Sequence, residues 1–156
     1  MHLIAASARR WLILGTMIAA AAMLLFAVAG TPEQGVPFSC TAVSVHDGDG
    51  PIHCRELGPD GRAIRIRLPG IAARETDGSC RPGHPCPAAS AEEARRALAS
   101  LAVGRQLSCR QVGTSYGRVV AWCATPAGVD LSCAQISAGM ALRWERYDRE
   151  GRLSGC

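Results

Sequence analysis

The sequence predicts an α+β protein, mostly β: a five-stranded Greek-key barrel carrying two to three helices. Three observations predict it. Short runs rich in β-formers are separated by Gly, Pro and Asp turn signals. One run, Ala63 to Leu68, alternates cleanly, with Ile64, Ile66 and Leu68 on one face and Arg65 and Arg67 on the other, as a half-buried strand does. The elements also fall in the order three strands, helix, two strands, helix, which matches a barrel of OB type. Other small β-barrels with appended helices satisfy the same pattern.

Each element has its own warrant. Phe38 to His46 (FSCTAVSVH) reads as the first strand and stops at the turn Asp47-Gly48-Asp49-Gly50. Ile52 to Leu57 is the second, closed by Gly58-Pro59-Asp60-Gly61, and Ala63 to Leu68 the third. Residues 73–89 form a Pro/Gly/Cys loop without periodicity. Ser90 then caps a helix, Glu93 completes a capping box, Ala94, Leu98 and Leu101 form its apolar stripe, and Gly104 ends it. Gln106 to Val112 is the fourth strand, Gly113 to Gly117 a turn, and Arg118 to Cys123 the fifth strand. Asp130 caps a second helix through Ala138, stopped by Gly139. Ala141 to Arg149 is expected to add a third helix, with Trp144 and Tyr147 packing back on the barrel.

The chain of 156 residues has room for one domain and a targeting segment. Residues 11–29 carry no charge and follow Arg9 and Arg10, which orients their start toward the cytoplasm. Ala27-Val28-Ala29 fits a signal-peptidase site near Gly30, yet the apolar stretch nearly suffices to span a bilayer, so residues 1–30 read as a signal peptide or an N-terminal membrane anchor. Residues 31–37 are a linker, 38–150 the barrel domain, and 151–156 a C-terminal tail with Cys156. The domain is therefore expected beyond the membrane, periplasmic or secreted, and a monomer. Cysteine usage agrees: Cys40, Cys54, Cys80, Cys86, Cys109, Cys123, Cys133 and Cys156 form an even, dense set in an exported domain, which reads as disulfides. Eight cysteines allow about 105 pairings. Cys80 with Cys86 is the favoured local pair, because Arg81-Pro82-Gly83-His84-Pro85 between them must turn back. A zinc site of Cys80, His84 and Cys86 is the minor alternative, with no fourth ligand apparent.

All 17 basic residues are arginine. Setting aside Arg9 and Arg10 leaves 15 against 13 acidic residues, a net of +2, too weak to argue nucleic-acid binding from charge alone. The arrangement of charges says more. Asp47 and Asp49 share a tight turn, Arg67 sits on the third strand, Glu75 follows that strand, and Tyr116-Gly117-Arg118 enters the last. His46 and His53 read as strand-surface residues.

In this order and spacing, these pieces resemble the staphylococcal nuclease (thermonuclease) family. The resemblance runs from about residue 38 to 147. It takes in the Asp-Gly-Asp turn, Arg67-Leu68-Pro69-Gly70-Ile71, Tyr116-Gly117-Arg118, and Gly128-Val129-Asp130-Leu131 leading to Gly139-Met140-Ala141. It implies an OB-fold endonuclease hydrolysing DNA or RNA phosphodiesters with Ca²⁺. Glu75 would be the general base, and Arg67 and Arg118 would bind the phosphate. Asp49 would ligate the metal with Asp47 close by, and Tyr116 would contact the nucleotide. The chemistry suits those residue types, because an anionic phosphodiester needs fixed cations aimed at its oxygens and planar guanidinium forks match phosphate. The chain departs from the family pattern at Ala72, where a second metal carboxylate belongs, at Ala73 and Arg74 before the acid, at Gly50 after Asp49, and at Thr114 before Tyr-Gly-Arg. Losing a carboxylate weakens Ca²⁺ binding. Three outcomes stay open: Arg74 or another cation replaces the metal in part, a weakened metal site works slowly, or the barrel binds nucleic acid or a protein partner without cleaving.

Overall fold

The computed structural model describes residues 35–156, so the signal peptide or anchor expected over 1–30 lies outside the described residues. Among the described residues, no helix is long and apolar enough to cross a membrane. Five strands close into a barrel in the order β1, β2, β3, β6, β5. They span Val36–Val45 (β1), Ile52–Leu57 (β2), Ala63–Arg67 (β3), Gln106–Ser115 (β5) and Arg118–Ala124 (β6). Two helices, Ala91–Ala102 (α1) and Leu131–Ser137 (α2), accompany it, and Ile71–Ala72 (β4) pairs with Leu142–Arg143 (β7) in a separate two-stranded sheet.

β1 makes closure possible. Its first part, Val36 to Thr41, runs antiparallel to β5, and its second, Ala42 to Val45, runs antiparallel to β2. A register irregularity between Ala42 and Ser44 marks the change of partner, and such bulges bend a strand. The barrel shuts where β3 and β6 pair in parallel, Ile66 opposite Val119 and Arg67 opposite Val120. That pairing carries Arg67 and Arg118 toward the same end.

The chain has only two Phe, three Trp and two Tyr, and the largest fully buried side chains are Ile and Leu. Cystine fills part of the core instead. Cys40–Cys54 joins β1 to β2 and Cys109–Cys123 joins β5 to β6, all four residues at 3% exposure or less. Each closes a loop for which the chain-entropy estimate is about 3 kcal/mol. Cys80–Cys86 closes the loop before α1, and Cys133–Cys156 ties the C-terminus to α2. No cysteine is free, so the minor zinc reading of Cys80, His84 and Cys86 is replaced by a disulfide.

α1 starts as expected: Ser90 accepts from the Glu93 N–H and the Glu93 carboxylate returns to the Ser90 N–H, a complete capping box. Its buried stripe is Ala94, Leu98 and Ala102, with Leu101 half-buried at the margin. Asp130 caps α2 through the Cys133 N–H at 3.0 Å.

Four expectations change. β1 begins at Val36, inside the expected linker, because its first residues pair with β5. β5 runs on to Ser115, and the five-residue turn shrinks to Tyr116-Gly117, both at positive φ, as a two-residue hairpin turn requires. The third helix does not form: Leu142 and Arg143 pair with Ala72 and Ile71, the Trp144 N–H donates to Gly70 O at 2.7 Å, and a single 3₁₀ turn, Glu145–Tyr147, follows. Tertiary pairing there outweighs helix propensity. Finally, residues 151–156 are no loose tail. Leu153 is buried, its N–H donates to Asp148 Oδ2 at 3.0 Å, and the Arg152 guanidinium lies 4.7 Å over the Trp122 ring.

Candidate active site

A cavity of about 480 Å³ opens at one end of the barrel. Its walls include Asp47, Asp49, Arg67, Glu75, Thr114, Tyr116 and Arg118. Asp47 and Arg118, 71 positions apart, thus meet around one hollow. Arg81, His84, Trp144 and Tyr147 line it too.

The β1–β2 turn is its most tightly fixed part. The Asp49 N–H donates to Asp47 Oδ1 at 3.1 Å, and Gly48 passes so close to α1 that a Cβ there would meet Ala94 Cβ at 2.4 Å and Ala73 Cβ at 2.7 Å. Gln135 of α2, fully buried, donates from Nε2 to Gly48 O at 2.7 Å and to Ala94 O at 3.0 Å, pinning turn and helix together. Gln135 Oε1 has no hydrogen-bond partner. An unsatisfied buried oxygen is costly, so the clamp outweighs a real penalty.

That turn presents Asp49 to Arg67. The carboxylate Oδ1 forms an ion pair with Arg67 Nη1, its Oδ2 accepts the Ala73 N–H at 3.1 Å, and Arg67 also donates to Asp49 O at 3.1 Å and Ile71 O at 3.2 Å. Burial holds the Arg67 guanidinium down to about 10, with Asp47 and Glu75 opposing and Arg118 and Arg81 adding to the shift, so it remains charged at neutral pH. Burial likewise raises Asp47 above the usual carboxylate value, against the pull of Arg67, His46 and Arg118. Arg118 is looser: Nε donates to Ser115 O at 3.3 Å, its guanidinium lies 6.0 Å from the Tyr116 ring, and it has no carboxylate partner among the described residues. Tyr116 is 90% exposed at the rim.

Glu75 follows β4 in a turn closed by its own N–H to Ser79 O at 2.9 Å and the Gly78 N–H to Glu75 O at 2.8 Å. Its carboxylate meets Arg81, Oε1 to Nε at 2.8 Å and Oε2 to Nη2 at 3.5 Å. Arg81 is displayed by the cystine loop, and pairs so exposed contribute roughly 0–1 kcal/mol. His84, in the same loop, packs at a tilt on Trp144 with ring centroids 4.1 Å apart, and Tyr147 meets Trp144 edge-on at 4.5 Å.

The acceptors expected to hold Ca²⁺ are largely engaged. Both oxygens of Asp49 have protein partners, Asp47 Oδ1 accepts a backbone N–H, and Ala72 is a buried methyl in β4. Ca²⁺ takes six to eight oxygen ligands, and this donor set as arranged does not fit it. Among the described residues, the close cluster of potential metal donors is Cys40, Cys54 and Glu56, whose two sulfurs are joined to each other. Arg74, a sequence candidate for the vacant charge position, is turned elsewhere, donating to Pro87 O at 3.0 Å and Gly78 O at 2.9 Å.

Sequence reasoning thus named Asp47, Asp49, Arg67, Glu75, Tyr116 and Arg118, and all six line the cavity. It missed Arg81 and Gln135. For Arg81 the signal was its place beside a cysteine in a loop forced to fold back toward Glu75. Gln135 left no signal, since a lone Gln in a short helix looks like a surface residue.

Fold and site together define a small disulfide-stapled barrel domain with a cleft of guanidinium and carboxylate groups at one end. No protein-family model matches the chain, and no curated protein matches it significantly.

Proposed function

We propose that this chain is an exported phosphodiesterase of thermonuclease type, built on an OB-type barrel and cutting DNA or RNA. One observation carries the reading: Arg67, Glu75 and Arg118, remote in sequence, line a single cleft. The parallel pairing of the third and last barrel strands supports the OB assignment. Four disulfides are compatible with export.

In the proposed reaction Arg67 and Arg118 hold the phosphate through charge-assisted hydrogen bonds and oppose the charge that gathers on its oxygens. Glu75 takes a proton as water oxygen bonds to phosphorus. The P–O ester bond breaks, and the departing alkoxide takes a proton from solvent. Arg67 is preorganised by Asp49, which fixes its fork without a cost at the moment of reaction. The open rim at Tyr116 leaves room for a chain to run past.

The second reading is a barrel that binds nucleic acid, or a protein partner, without cleaving. The ion pair of Glu75 with Arg81 favours it, because an engaged carboxylate is a poorer base. Incubating the oxidised full chain with plasmid DNA, single-stranded DNA and RNA separates the two. The first reading expects cleavage that falls about 10²–10⁴-fold in Glu75→Gln. Undiminished cleavage in that variant refutes the assigned base. Salt-sensitive binding without cleavage, weakened in Arg118→Ala, establishes the second reading.

A further inference from the structure

We propose that the cleft works on phosphodiesters without a metal ion, Arg81 supplying the remaining positive charge from the loop closed by Cys80–Cys86. The proposal rests on the phosphodiesterase reading and deepens it.

Three observations meet here. First, three of the four carboxylate oxygens that would ligate a divalent cation serve the protein: Asp49 is divided between Arg67 and the Ala73 N–H, and Asp47 Oδ1 accepts the Asp49 N–H. A metal would have to displace a largely buried guanidinium from its carboxylate.

Second, Arg81 is placed where a phosphate cation is needed. It lines the same cavity as Arg67 and Arg118 and sits against the proposed base. A guanidinium carries five N–H donors, of which one on Nε and one on Nη2 face Glu75. The rest can reach a phosphate oxygen, and as Arg81 turns to it the Glu75 carboxylate is released to act as base, so Arg81 links the arrival of substrate to the base. Its side chain is 62% exposed, free to settle on an arriving anion, while its backbone is fixed by the adjacent cystine.

Third, the cleft already holds fixed positive charge: Arg67, Arg81 and Arg118 all line it, and Arg118 has no carboxylate partner among the described residues. A fork of fixed donors also suits the planar, spreading charge of the reacting phosphoryl group. The step itself needs no other reactant: water oxygen bonds to phosphorus, its proton goes to Glu75, the ester bond breaks, and the alkoxide is protonated by solvent.

The test uses the oxidised full chain with a single-stranded DNA oligonucleotide, in excess chelator or in Ca²⁺. The expected result is a cleavage rate equal within about twofold in both, and no rise of thermal midpoint when Ca²⁺ alone is added. Arg81→Ala is expected to lose about 10²-fold in rate with the melting temperature retained, and Arg81→Lys to recover part of it. Calorimetric binding of inorganic phosphate in chelator is expected in the wild type and to weaken in Arg81→Ala. Cleavage lost in chelator and restored by Ca²⁺ overturns this inference while leaving the phosphodiesterase reading intact. Arg81→Ala cleaving at the wild-type rate overturns the role of Arg81. No cleavage under any condition overturns both.

Discussion

Gly48→Ala is the sharpest probe of how the site is held. The added methyl would lie 2.4 Å from Ala94 Cβ and 2.7 Å from Ala73 Cβ, where carbon atoms in contact need about 3.5–4.0 Å. Neither neighbour is a flexible side-chain end: one belongs to α1 and the other to the segment whose N–H holds Asp49. Turn and helix must therefore part by about 1 Å on the dispersion distances. Overpacking of this kind costs about 1–3 kcal/mol. For a domain of this size each kcal/mol is about 4 °C in thermal midpoint, so the melting temperature should fall by about 4–12 °C. The displaced turn also carries Asp49, which orients Arg67, and a 1 Å error in a phosphate-binding group can cost about 10²-fold in rate. Calorimetry and the cleavage assay read the two effects separately. Ala94→Gly added to Gly48→Ala removes the nearer clash, at the expense of about 1 kcal/mol of helix propensity. The double variant should be less damaged than the sum of the singles, with the Ala73 contact keeping the rescue incomplete. A Gly48→Ala protein melting within about 1 °C of wild type would refute the idea that this turn is wedged between α1 and the Ala73 segment.

Two further variants test other parts of the structure. Asp47→Asn keeps the oxygen that accepts the Asp49 N–H but removes an ionisation that burial opposes. Because the folded-state value of Asp47 is raised above 3.8, its stabilising protonated form is fully effective below that pH and is lost as pH rises through the higher folded value. The midpoint of Asp47→Asn should accordingly gain on wild type between acid and neutral pH, and a constant difference across a melting series from about pH 3 to about pH 7 would contradict this. Replacing both Cys109 and Cys123 by Ala opens a loop whose closure is estimated at about 3 kcal/mol and leaves a gap in the core, so urea denaturation should show a loss of at least that size. An unchanged urea midpoint would mean that this cystine contributes nothing to the core.

The barrel was legible because its signals are local. Period-two alternation in Ile64, Ile66 and Leu68, a capping box at Ser90 and Glu93, and Asp-Gly or Pro-Gly turns each describe a few neighbouring residues and need no tertiary knowledge. The failures lie where a distant partner decides. Residues 141–149 have helical composition, yet Leu142 and Arg143 pair with Ala72 and Ile71, far earlier in the chain, and the Trp144 N–H is taken by Gly70 O. β1 reaches back into an apparent linker for the same reason: β5 stands beside it.

The site divides along the same line, and the division bears on function. The charged residues of the cleft stand out in sequence only as a set: an Asp-Gly-Asp turn, or an exposed Arg or Glu, is ordinary by itself, and it is the order and spacing of Asp47, Asp49, Arg67, Glu75 and Arg118 that mark them. Which of them meets which is set by packing, and the observed pairs divide the work unevenly. Arg67 is largely buried and fixed by Asp49, whereas Arg81 is exposed and held to Glu75 by a pair worth at most about 1 kcal/mol. A phosphate entering the cleft cannot take Arg67 from Asp49 without exposing a buried carboxylate, but it can share Arg81 almost freely. Under the proposed phosphodiesterase reading, the rigid arginine therefore sets where the phosphate sits, and the mobile one couples its arrival to the base.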